Sequence, residues 1–285
     1  MKLNHLISFF ILFQLSVFSQ ELPPIEVFKP KDYGAEDQNW GISQGTDKSI
    51  YFANNKGLLA YNGARWKLYK SPNSSIIRSV KVIVGKIYTG SYMDFGYWEE
   101  NEFGVLNYTS LAKEGISLAE DEEFWNILAL DQWIVFQSLD RIYIYNTADK
   151  SFKVIKSETT ITKIYEVNKS IYFQKINDGI FKFEDGKEVL VTNDVLLKDR
   201  IVVNIFHNDE ELLFQTKEHG LFTIGNNNSI KEWDTKLNYQ LKKYRVYNSL
   251  QLNNKDLILG TVSNGILYVN SNKEIEYDVN QSKGL

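Results

Sequence analysis

Acid–base or nucleophilic catalysis needs histidine, cysteine or opposed carboxylates, and this chain is poor in the first two. It has no cysteine and three histidines, His5, His207 and His219. His5 falls in an N-terminal leader, whereas His207 in "NIFHNDEE" and His219 in "TKEHGLF" stand in turn contexts. Neither has a second histidine at metal-ligand spacing, so both read as solvated turn residues. Without cysteine there is no thiol nucleophile, disulfide scaffold or thiolate zinc site. Carboxylates cluster at Glu120–Glu123 and Asp209–Glu211. A glycosidase needs two carboxyls facing each other across a bond, which such runs do not specify, and the run at Glu120–Glu123 reads as a solvated face. No nucleophile elbow, Walker loop or dinucleotide fingerprint occurs. The chain therefore reads as non-catalytic and without a cofactor or metal.

Binding chemistry is better represented. Asn54, Asn55, Lys56, Tyr92, Asp94, Asp140, Asp178, His219 and Asn264 fall in short polar turns. Aromatic faces stack on sugar rings while amides and acids satisfy hydroxyls, so the set suits a glycan or a small polar metabolite. Taken singly, each is an ordinary turn residue. What unites them is their spacing.

These turns recur at intervals of about 40 residues, each just before a marker at Gly57, Gly96, Arg141, Gly179, Gly220 or Gly265. The first unit, "WGISQGTDKSIYFANNKGLLAYNGARWKLY", places β-prone runs between Asn/Gly turns that tolerate positive φ. With the stretch before "GTDKS", that makes four short strands per unit. An aromatic content of 14% with only 4 prolines favours strands throughout. A four-stranded sheet with two apolar faces cannot stand alone, but stacked around an axis it buries both. The expected fold is an all-β propeller of six visible blades, either closed as six or an incomplete seven-bladed ring. A β-sandwich array and a β-helix account for the spacing less well. Loops joining the second and third strands of the blades would gather at one mouth of the channel, and the turns named above are those loops. The acidic segment 110–128 reads as a long inter-blade connection with one helical turn.

Met1–Lys2 precedes an apolar run from Leu6 to Phe18 that is too short to span a membrane. Residues 1–19 are expected to be a signal peptide cleaved after Ser19, giving a periplasmic address. Residues 20–37 are expected to form a lead-in strand and 38–285 the propeller. A formal net charge of −4 and the absence of a basic patch argue against nucleic-acid binding.

The unit "GISQGTDKSIYFANNKGLLAYNGARWKLY" resembles the two-component regulator propeller repeat. "FKPKDYGAEDQNWGISQ" and "GSYMDFGYWE" are similar to the sensor region of large membrane-spanning regulators of Bacteroidetes. The resemblance covers residues 28–285 and implies a sensor that detects an extracellular glycan or metabolite and can self-associate through its sensor region. In such receptors a triple-tyrosine β-sandwich, a membrane helix and a kinase or helix-turn-helix output follow, and membrane tethering comes only from those downstream segments. Propellers of this family usually close with seven blades. The chain is accordingly expected to be a piece of such a receptor, with Ser282–Leu285 opening a further repeat. A six-bladed ring closed by Ile25–Lys29 is the alternative. Two other functional readings stay open, a free-standing secreted propeller that binds a protein or glycan and a propeller hydrolase or lyase.

Overall fold

The computed structural model describes residues 25–112, 116–184, 187–208, 211–225 and 229–283. The expected leader and its expected cleavage point lie outside these residues, as do Asp209 and Glu210. Six four-stranded antiparallel sheets follow one another in chain order as the blades of a β-propeller ring. Blade one is the meander Asn39–Gln44, Ile50–Asn54, Gly57–Tyr61, Trp66–Lys70. The others span residues 77–110, 126–156, 161–192, 202–232 and 246–279. The first strands of successive blades pack on one another and surround the axis.

The continuous apolar runs follow from this geometry. Alternate residues of a strand face opposite sides of the sheet, and here both sides are covered by a neighbouring blade. In the second strand of blade three, Ile134 and Phe136 pack with Tyr88 and Phe95 of blade two. Val135 between them packs with Ile164, Ile171 and Phe173 of blade four. Comparable clusters join blades one and two, four and five, and five and six. Each fully buried Leu, Ile or Phe contributes about 1.5–3 kcal/mol, so the ring is held by these inter-blade cores.

Among the described residues no such cluster joins blade six to blade one. Blade six turns the in-register row Leu250, Ile258, Tyr268, Tyr277 away from blade five, with Leu250 57% exposed. Blade one turns Ile42, Phe52, Leu59, Leu68 away from blade two, with Ile42 65% exposed. Closure by Ile25–Lys29 is not what forms. Phe28 lies edge-on to Trp66 at 5.1 Å and 5.3 Å from Tyr61, and Tyr33 is 5.3 Å from Trp66, all on blade one. The aromatic outer strands of blade one are the apolar surface within reach. Pro30 at the start of a helical turn (Pro30–Tyr33) ends the extended backbone there. The described part of the lead-in is thus irregular chain with one helical turn, not a strand.

Segment 110–128 also differs from expectation. It is a connection, but no helix forms among its described residues; short helices stand instead at Val195–Lys198 and Lys236–Leu241. Its acidic run is not wholly solvated. Glu122 is 4% exposed and accepts hydrogen bonds from Ser138 Oγ and Tyr143 OH, both at 2.7 Å, and from the Ala119 N–H at 2.9 Å. Arg141, which replaces the marker glycine, holds Nη1 at 4.0 Å from that carboxylate. Elsewhere the glycine is required. At Gly57, with φ 140°, a Cβ would meet Tyr69 O at 2.2 Å.

Candidate functional site

One irregularity recurs at the start of the innermost strand. Pairing with the second strand slips between Asn39 and Gly41 in blade one and between Ile77 and Ser79 in blade two. It slips again between Ile161 and Ile164, Val202 and Asn204, and Val246 and Asn248 in blades four to six. A β-bulge leaves its extra residue outside the ladder and re-aims the side chain. The residues so released are Trp40, Arg78, Thr162 with Lys163, Val203 and Tyr247. Blade three pairs Asn126 with Gln137 regularly and contributes Trp125 from the residue before its strand. Together these residues wall a cavity of about 370 Å³ that takes lining from every blade, at one mouth of the axis.

Two cations define its electrostatics. The Arg78 guanidinium lies 4.4 Å from the Trp40 ring centroid and 4.7 Å from that of Trp125. Its Nε and Nη2 both donate to Glu123 Oε1, at 3.0 and 2.9 Å, so its charge is compensated. Trp40 is fixed by donating Nε1–H to Asn55 Oδ1 at 2.8 Å. Lys163 differs. Its Nζ donates to Val203 O at 3.2 Å and Asn248 Oδ1 at 3.0 Å. Among the described residues no carboxylate stands within ion-pairing distance of it. Desolvation lowers its ammonium from the ordinary lysine range to about 8. The mouth therefore carries one net positive charge beside indole and phenol surfaces.

A search of solved structures finds proteins built in the same way. The extracellular domain of BT3049 from B. thetaiotaomicron, ascribed to a hybrid two component system, matches over 91% of this chain and 37% of its own. The TM-score is 0.66 at 15% sequence identity. That of BT4673, also ascribed to a hybrid two component system, matches over 87% of this chain and 34% of its own, with TM-score 0.63 and 17% identity. This chain shares the fold of those extracellular domains over most of its length. It spans about a third of their length. BamB from Moraxella catarrhalis matches at TM-score 0.54 and 11% identity, over 82% of this chain and 83% of that one. No family model matches the sequence, and no curated protein does.

In this propeller, all the turns singled out in the sequence do join second and third strands. The pairing of Asn39 with Asn54 and Ile77 with Ser91 puts such turns at the same end of the blades as the bulges. Their side chains divide by role. Asn54 is fully buried and donates to Glu36 O at 2.7 Å and Gln38 O at 3.1 Å, latching the lead-in to blade one. Asp94 is buried and accepts from Ser110 Oγ at 2.6 Å; burial, and then Asp94, raise the Tyr108 phenol far above its ordinary range. Asn55 supports Trp40 directly. Tyr92 is exposed and donates to Asp121 Oδ1 at 2.6 Å. Lys56, Asp140, Asp178, His219 and Asn264 are exposed. The His219 and Asn264 N–H groups donate to the hydroxyls of Thr216 and Thr261, which fixes their turns. Asn264 borders a larger cleft of about 650 Å³, but that cleft is lined only by blade six and the chain flanking it.

The mouth residues Trp40, Arg78, Trp125, Lys163 and Tyr247 were not evident from the turns. Their trace in the sequence is a large aromatic or charged residue beside the start of five of the six first strands, as in "NWGIS", "IIRSVKV", "TKIYEV" and "RVYNSL", while blade five carries Val203 there.

Proposed function

We propose that this chain is the extracytoplasmic ligand-sensing propeller of a bacterial signal-transduction regulator, and that its ligand is read at the axial mouth. The observation that carries this is the bulge repeated in five blades, which directs unlike side chains into one cavity. A repeat kept only for packing needs no such interruption. Export is supported by the leader at residues 1–19, and a receptor context by the likeness to extracellular domains of two component systems. On this reading the sensor is part of a longer, membrane-anchored protein whose output domain responds to the mouth.

A hydrolase reading would need two carboxylates facing each other across the mouth. No carboxylate lines the mouth among the described residues, and Glu123, which reaches it through Arg78, is engaged by that guanidinium. The test is calorimetric titration of the full chain with a library of extracellular polysaccharide fragments. Tyr247→Ala is expected to abolish binding, while His219→Ala and Asn264→Ala leave it intact. Loss in the rim variants with retention in Tyr247→Ala would move the site to the turns. Cleavage of a fragment would make the chain an enzyme.

A further inference from the structure

Lys163 poses a physical question that the fold does not answer. Its ammonium has three donors, of which two are taken by Val203 O and Asn248 Oδ1. An ion removed from water without a counter-ion is unfavourable, and such groups are retained where a partner completes them. Tyr247, which precedes the Asn248 that Lys163 bonds, is 65% exposed and shares the cavity wall with Lys163 and Asn126. Arg78 adds no net charge, because Glu123 compensates it. One cation with no carboxylate partner, and one donor without a partner, among the described residues fits one monoanionic oxygen group. An exposed phenol on the same cavity wall fits the C–H face of a sugar ring.

We propose that the axial mouth binds an acidic saccharide, with a uronate carboxylate received by Lys163 Nζ and its ring laid on Tyr247. This rests on the reading of the mouth as the ligand site and names the ligand class. A dianionic phosphate would leave charge unbalanced here, and a neutral sugar would leave the ammonium unsatisfied.

The test is titration of the full chain with galacturonate, glucuronate and mannuronate oligosaccharides and their carboxyl-reduced neutral counterparts, with inorganic phosphate as an anion lacking a ring. An acidic member is expected to bind at least about tenfold more tightly than its neutral counterpart, and more weakly as salt rises. Lys163→Met should erase the difference while keeping a cooperative thermal transition, and Lys163→Arg should retain it. Equal binding of acidic and neutral members, or indifference to Lys163→Met, overturns the charge assignment and leaves the mouth as a ligand site. Phosphate binding as tightly as the saccharides overturns the ring contact. Binding of no saccharide overturns both this inference and the reading beneath it.

Discussion

Lys163 is protonated in the unfolded chain up to about pH 10.4, the reference value for lysine. In the fold it releases its proton near pH 8. Between those values the unfolded state binds more protons, so stability rises with pH across that window. The other titratable groups lining the mouth, Arg78 and Tyr247, are common to wild type and Lys163→Met, and the difference between the two proteins isolates the amine. Wild type is expected to gain about 2–3 kcal/mol relative to Lys163→Met from pH 7 to 10, measured by urea unfolding. A flat difference would place the amine in water. Glu122 makes the opposite case, a buried charge whose donors are all present. Glu122→Ala removes the acceptor of Tyr143 OH and leaves Ser138 Oγ only its longer bonds to Asp140 and Arg141 O, and is expected to lower unfolding stability by about 2–4 kcal/mol. A loss below about 0.5 kcal/mol would show that water replaces the carboxylate.

Strands and turns carry the next level of constraint. Gly57 combines a left-handed φ with close approach to Tyr69 O, so Gly57→Ala forces the third and fourth strands of blade one apart. A loss of about 2–4 kcal/mol is expected in chemical unfolding, and none would mean that the strand edge yields freely. Blade three shows how the rule is escaped. Arg141 has no left-handed φ, and its guanidinium lies beside Glu122 and Asp140. The first strand of each blade also serves two purposes, as lining of the axis and as carrier of the mouth residues. The bulge reconciles them by taking one position out of the ladder without disturbing the apolar alternation that follows.

At the scale of the molecule, cohesion comes from the clusters between successive blades, and the faces of blades six and one that turn away from their neighbours are the exception. Phe214 is fully buried in the cluster between blades four and five, whereas Leu250 and Ile42 are exposed. Phe214→Ala is expected to cost about 3–5 kcal/mol. Ile42→Lys with Leu250→Lys should change unfolding stability by less than about 0.5 kcal/mol per site. A large loss in the double lysine variant would reveal packing across that seam.

The sequence by itself determined the blades. Apolar runs of strand length, Asn/Gly turns and a glycine marker every 40 residues or so record local physics: alternation, turn conformation and the closeness of neighbouring backbones. The second-to-third-strand turns were legible for the same reason, and Asn55 proved to support the mouth. That Asn54 and Asp94 are buried was not legible, because a turn residue carries no mark of whether its side chain faces solvent or latches a distant segment. Nor were Lys163 and Tyr247 legible as neighbours. They are far apart in the chain and share a cavity wall only because six first strands converge on one axis with a bulge at the same height in five of them. Tertiary structure decided which polar residues share a cavity, since the pairing that makes a blade is local and the ring that makes a mouth is not.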